Sequence, residues 1–228
     1  QKQGSDAKVN EKLLQWRLNP DSLTQLLSKI SEFSVNLKSV NLAGLLPKDA
    51  DGLVKLFTSL VFSSRTKNDP LYVKNFVSKS GMLLENDLSR MSSGSGKDGP
   101  AAPPHSDNLK ASLLKLSEIV AQALRADPKS DPQVAAKLLH LASFASEALQ
   151  TIEARQAVNV VYQQNESGLY LQIPLALGDS LRQADIFISP DDKNAAGSKK
   201  FSSCSIMIFL DLDYLGNMSI DASLKAGH

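Results

Sequence analysis

Cysteine is almost missing from this chain: of 228 residues only Cys204 carries a thiol. One thiol excludes an intrachain disulfide and any multi-cysteine metal site. No charge dominates either, because 25 Lys and Arg, spread along the sequence, face 24 Asp and Glu. That balance offers no basic footprint for a nucleic-acid backbone or an anionic membrane. No apolar run approaches the roughly 20 residues that span a bilayer, and no apolar signal segment follows Gln1-Lys2-Gln3-Gly4. Without an initiating Met the sequence reads as a trimmed or partial chain. His105, His140 and His228 are too scattered to spell a nucleophile–base pair. Neither Gly-x-x-x-x-Gly-Lys nor His-Glu-x-x-His occurs.

What is present changes period once. Up to residue 157 the apolar spacing is helical. Asp21 can cap a stripe of Leu23, Leu26, Leu27, Ile30 and Phe33, and Asp51 precedes Leu53, Val54, Leu56, Phe57, Leu60 and Val61. Asp69-Pro70 predicts a helix start ahead of Leu71, Val73, Phe76 and Val77, with Gly81 where a C-terminal cap falls. Ser92 to Ser106 is built from Ser, Gly and Pro, cannot make a core, and predicts a flexible linker. Its glycines follow a helix rather than a strand, which fits a linker and not a phosphate cradle. Asp107 then opens a helix with Leu109, Leu113, Leu116, Ile119, Val120 and Leu124 inward. Asp127-Pro128 and Asp131-Pro132 end it, and a second helix runs to Gln156 with Val134, Leu138, Leu141, Ala145, Ala148, Leu149 and Ile152 inward. The short connection predicts an antiparallel helical hairpin, with His140 at the edge of its core.

From Ala157 the period becomes two. Val158–Gln163 and Leu169–Ile173 are predicted as strands around an Asn165–Gly168 loop, with a third strand at Ala184–Ser189. Pro190–Lys200 is a polar loop, and Cys204 is a half-buried residue where the next strand begins. In the last stretch Ile206, Ile208, Leu210 and Leu212 alternate, as do Met218, Ile220, Ala222 and Leu224 after Leu215-Gly216-Asn217. That pattern predicts a β-hairpin whose even-numbered face is buried. The fold class expected is α+β: a helical region 1–91, a linker 92–106, a helical hairpin 107–157 and a mainly antiparallel β region 158–228.

Two chemistries compete for that hairpin. An apolar strand ending Asp211-Leu212-Asp213 resembles the first motif of haloacid-dehalogenase-type phosphatases, which implies Asp211 as nucleophile and Mg²⁺ ligand and Asp213 as general acid and base. That family expects a Thr or Val where Leu215 stands, and further motifs that 13 remaining residues cannot hold. The plainer reading puts both carboxylates on the solvent side of an antiparallel strand. A strand returning antiparallel after Gly216 separates the two.

The order of segments carries a second resemblance. Tyr72-Val73-Lys74-Asn75-Phe76-Val77-Ser78-Lys79-Ser80-Gly81-Met82-Leu83-Leu84-Glu85-Asn86-Asp87-Leu88, then a linker, then Asp107-Asn108-Leu109-Lys110-Ala111-Ser112-Leu113-Leu114, resembles flagellar hook-length control proteins. Ile152-Glu153-Ala154-Arg155-Gln156-Ala157-Val158-Asn159 and Leu171-Gln172-Ile173-Pro174-Leu175 follow in the same order. Ile208-Phe209-Leu210-Asp211-Leu212-Asp213-Tyr214-Leu215-Gly216-Asn217-Met218-Ser219-Ile220 is similar to the start of that family's C-terminal domain, with Leu212 at its usual Pro position. The resemblance covers most of residues 70–224. It implies a non-catalytic protein with no cofactor, made in the bacterial cytoplasm and exported through the flagellar type III apparatus. It implies partners among export-gate and hook components, with Tyr214, Leu215 and Gly216 as candidate contact residues. A generic helical scaffold or adaptor is the third expectation.

Overall fold

The computed structural model describes residues 21–40, 42, 47–64, 66–85, 88, 107–126, 131–166, 168–190 and 203–225. Among them, six helices precede a four-stranded antiparallel sheet, an α+β fold. The helices are α1 (Asp21–Ser28), α2 (Ile30–Ser39), α3 (Pro47–Ser59), α4 (Tyr72–Lys79), α5 (Leu109–Ala126) and α6 (Pro132–Glu166). The strands β1 (Leu169–Leu177), β2 (Ser180–Pro190), β3 (Ser203–Leu212) and β4 (Gly216–Lys225) lie side by side in chain order. The linker expected over 92–106, the loop at 191–200, His105 and His228 lie outside the described residues. No described helix is long and apolar enough to cross a membrane. Two compact units are formed, one by Gln25–Glu153 and one by Gln1–Thr24 with Ala154–His228.

In the helical unit the stripes read from the sequence are the buried ones. Leu26, Leu27, Phe33, Leu53, Leu56, Phe57 and Leu60 are buried, as are Leu138, Leu141, Ala145, Ala148 and Ile152. The first predicted helix is interrupted at Lys29, whose N–H reaches both Gln25 O and Leu26 O before α2 resumes. Around α4 the inward residues differ from expectation. Asp69 Oδ1 accepts from Leu71 N at 2.9 Å, an Asx turn that delays the helix to Tyr72. Tyr72 and Phe76 therefore face inward, and Leu71 and Val73 are exposed. The Tyr72 hydroxyl donates to Leu60 O at 2.6 Å, and burial pushes it well above the usual phenol range.

Asn108, rather than Asp107, caps α5: its Oδ1 accepts from Ala111 N at 3.2 Å. Asp131 caps α6 by accepting from Gln133 N at 2.9 Å, with Pro132 as the first helical residue. Lys110, early in α5, pairs with Glu85 and lies 3.8 Å from Glu153, far along α6, as an antiparallel pair of helices requires. His140 sits at the core edge between Asn36 (3.1 Å) and Glu32 (3.3 Å).

Gly81 follows α4 at φ +90°, and a methyl there would lie 2.5 Å from Lys110 Cβ and 3.0 Å from Lys110 N. Gly216, at φ +67°, has open space around it. The left-handed backbone alone costs roughly 1–2 kcal/mol for a residue with a Cβ, and crowding a packed site adds about 1–3 kcal/mol. Gly81→Ala is therefore expected to cost about 2–5 kcal/mol and Gly216→Ala only about 1–2 kcal/mol. Urea unfolding of the two variants checks the difference, and equal costs would remove the role given to Lys110.

The sheet-bearing unit corrects three expectations. First, residues 158–163 are helical, because α6 continues to Glu166. Val158, Val160 and Tyr162 alternate, but the buried set Ile152, Arg155, Asn159 and Tyr162 follows helical spacing. Second, β1 does not end at Ile173, ahead of Pro174. It runs to Leu177, since an edge strand tolerates a residue without an N–H, and turns through Gly178-Asp179 into β2. Third, the side of β3 that packs on α6 is the odd-numbered one. Phe209 and Met207 pack with Tyr162, Val158, Tyr170 and Phe187. Phe187 stacks on Tyr170 at 4.6 Å between centroids and meets Tyr162 and Phe209 edge-on. On the opposite face of the sheet, Leu171, Ile173 and Ala184 are buried, whereas Ile206, Ile208 and Leu210 are half-buried and Ile220, Ala222 and Leu224 exposed.

Candidate functional site

The hairpin between β3 and β4 closes at Leu212 opposite Gly216, which leaves Asp213, Tyr214 and Leu215 as its loop. The turn thus lies two residues earlier than Leu215-Gly216-Asn217, and Gly216 is its left-handed residue at φ +67°. A three-residue loop followed by such a glycine is a common hairpin geometry. It leaves Tyr214 fully exposed and Leu215 72% exposed. Two large apolar side chains thus stand in solvent on a tip held by paired strands. An aromatic ring there gives contact area with few rotatable bonds to freeze. Asp213, at the base of the loop, pairs with Arg182 of β2, which ties the turn to the strand beside β3.

The two carboxylates of the phosphatase reading do not converge. Asp211 stands opposite Asn217 on β3, and Asp213 faces Arg182 from the loop. The strand that carries Asp211 is antiparallel to both neighbours, β2 and β4. Among the described residues, no three His, Cys, Asp or Glu side chains gather within reach of one metal ion. Cys204 is half-buried near the start of β3.

A polar cluster that the sequence did not flag lies between α6 and the sheet. Asp185 of β2 is fully buried, and its Oδ1 accepts from the Tyr170 hydroxyl (2.8 Å), Gln183 Nε2 (3.1 Å) and Gln172 Nε2 (3.2 Å). Gln172 Oε1 accepts from Arg155 Nε at 3.0 Å, so one amide links a buried cation to a buried anion. Burial pulls the Arg155 guanidinium down to about 10, while Tyr170 and Asp185 pull it back up. Arg155 Nη2 and Gln183 Oε1 are buried without a hydrogen-bond partner. Asn159 reads the backbone of β1 like a neighbouring strand: its Oδ1 accepts from Tyr170 N and its Nδ2 donates to Tyr170 O, both at 2.8 Å. These contacts fix the register of α6 against β1, and hence the sheet that presents the tip. The available signal was Arg155, Asn159 and Tyr162 on one helical face, facing polar residues on the inward side of β1 and β2.

No protein-family model, curated protein or solved structure matches this chain.

Proposed function

We propose that this chain is a non-catalytic flagellar hook-length control protein that switches the substrate specificity of type III export through protein–protein contacts. The observation that carries the reading is the β3–β4 hairpin, whose Leu-Gly turn holds Tyr214 and Leu215 in solvent. In this reading the tip meets an export-gate component, and α6 with its buried polar cluster serves as the rigid base. The protein is made in the bacterial cytoplasm and leaves through the flagellar apparatus. The segment order between residues 70 and 224 supports the same assignment.

Deleting the full-length gene in its native host tests this directly. Abnormally long hooks without filaments are expected, and normal flagella would sink the reading. Complementation adds a residue-level test. Tyr214 and Leu215 are exposed, so replacing both with Ala is expected to change unfolding free energy by no more than about 0.5 kcal/mol. The same double variant is expected to leave hook termination and filament assembly unrestored. Full rescue by it would remove the tip from the mechanism.

A further inference from the structure

We propose that residues 9–18 of this chain dock as an amphipathic helix on the sheet face that turns away from α6. The inference does not rest on the flagellar reading and uses none of the tip residues. α6 covers one face of the sheet through Tyr162 and Val158, which pack with Tyr170, Phe187, Phe209 and Met207. The residues between those positions on each strand point to the other face. Strand pairing arranges that face in rows: Leu171, Ile186, Ile208 and Ile220 form one, and Ile173, Ala184, Leu210 and Met218 the next. Burial along these rows runs the wrong way for an open face. β1 is an edge of the described sheet, so with nothing above it Leu171 would be among the most accessible side chains of its row. Instead Leu171 is 0% exposed and Ile173 3%, Ile186 and Ile208 are half-buried, and Ile220 near the other edge is 40% exposed. A cover therefore lies over β1 and β2 and thins toward β4.

α6 cannot supply that cover, because it packs on the opposite side. The compact unit that holds the sheet has one other segment, Gln1–Thr24. Elsewhere in the unit, residues 191–202 offer one large apolar side chain, Phe201, and residues 226–228 none. Residues 9–18 offer Val9, Leu13 and Trp16 at helical spacing, with Leu14 and Leu18 beside them. The positions between, Asn10, Glu11, Lys12, Gln15 and Arg17, are polar, as the solvent side of a surface helix requires. Asn19-Pro20 ends the run, since a residue before proline disfavours helix. A helix this short is marginal alone in water, so the segment and the apolar face stabilise each other. The docked segment also occludes the face: another protein reaches Leu171 and Ile173 only by displacing it.

Trp16 is the chain's one tryptophan, so its fluorescence reports on this segment alone. In the full chain its emission is expected to lie to the blue of that of a synthetic peptide of residues 1–20, with severalfold weaker quenching by acrylamide. Leu13→Asp sets a carboxylate against the apolar face and is expected to bring both readings to those of the peptide. Trp16→p-benzoylphenylalanine, irradiated in the full chain and mapped by mass spectrometry, locates the contact independently of that variant's folding. Crosslinks are expected within residues 169–190 of the same molecule. The proposal is overturned if Trp16 is quenched equally in chain and peptide, or if Leu13→Asp leaves it protected. It is also overturned if the crosslinks fall on residues 25–166, or if they join two copies, which would make a second chain the occupant.

Discussion

Asp185→Ala is expected to destabilise the sheet-bearing unit by about 3–5 kcal/mol, among the largest losses available from any single side chain there. Asp185 is fully buried and accepts three side-chain hydrogen bonds, from Tyr170, Gln172 and Gln183. Truncation leaves those donors facing an apolar methyl, each at a desolvation cost of roughly 1–3 kcal/mol where nothing replaces the acceptor. It also strips Arg155, buried and charged at neutral pH, of the anion it reaches through Gln172. Asp185→Asn keeps one acceptor oxygen in place but loses the charge and turns the other oxygen into a donor, so about 1–2 kcal/mol is expected. A double-mutant cycle with Arg155→Met separates charge from shape. Residues in one buried network couple by roughly 0.5–3 kcal/mol, so the Asp185→Asn, Arg155→Met double variant should cost less than the two single losses combined. Strict additivity in urea unfolding would mean that Gln172 does not connect the two charges.

That cluster also marks where the sequence stops being readable. An apolar stripe such as Leu138, Leu141, Ala145, Ala148 and Ile152 announces a helix because burial rewards one spacing and no other. Beyond Ile152 the same stripe continues through Arg155 and Asn159, residues whose letters suggest solvent. The β-branched Val158, Val160 and Val161 then imitate a strand. Only the tertiary partners on β1 and β2 turn those polar letters into core, and no local pattern names a partner 11 to 30 residues away. The capping of α5 missed by one residue for a simpler reason: Asp107 and Asn108 both cap well, and geometry chose the second.

The hairpin at the chain's end was legible in its pairing and misleading in its faces. Alternation fixes which residues share a side, and Ile206, Ile208 and Leu210 do lie with Ile220 and Ala222. It does not say which side a helix will cover. The side with Phe209 and Met207 packs on Tyr162 of α6, although Asp211, Ser219 and Asp221 share that face. This is possible because those polar residues lie toward the open end of the sheet, where β4 is exposed. Tyr214 and Leu215 invert the usual expectation as well. Large apolar letters predict burial, yet a three-residue loop has no room to fold them back, and so they face solvent.

In the helical unit the corresponding large effect is expected at Phe144, a residue the periodicity did not single out. Its ring stacks on Phe33 at 4.1 Å between centroids and 23° between planes, and meets Phe57 edge-on at 5.5 Å. Phe33 and Phe57 themselves meet edge-on at 6.2 Å, so one ring from each of α2, α3 and α6 forms a closed triangle. All three are almost wholly buried. Phe144→Ala removes a ring from both of its contacts and leaves a void that stiff helices fill only in part, a loss of about 3–5 kcal/mol. Phe144→Leu keeps much of the volume and loses the ring geometry, which is worth roughly 0.5–1.5 kcal/mol per aromatic pair. The location of the damage is as diagnostic as its size. Native-state hydrogen exchange should speed up in α2 and α3, the two helices that lose their shared partner, before it does in the sheet. Uniform acceleration across the chain, or a loss below about 1 kcal/mol for the alanine variant, would mean that the triangle does not organise this core.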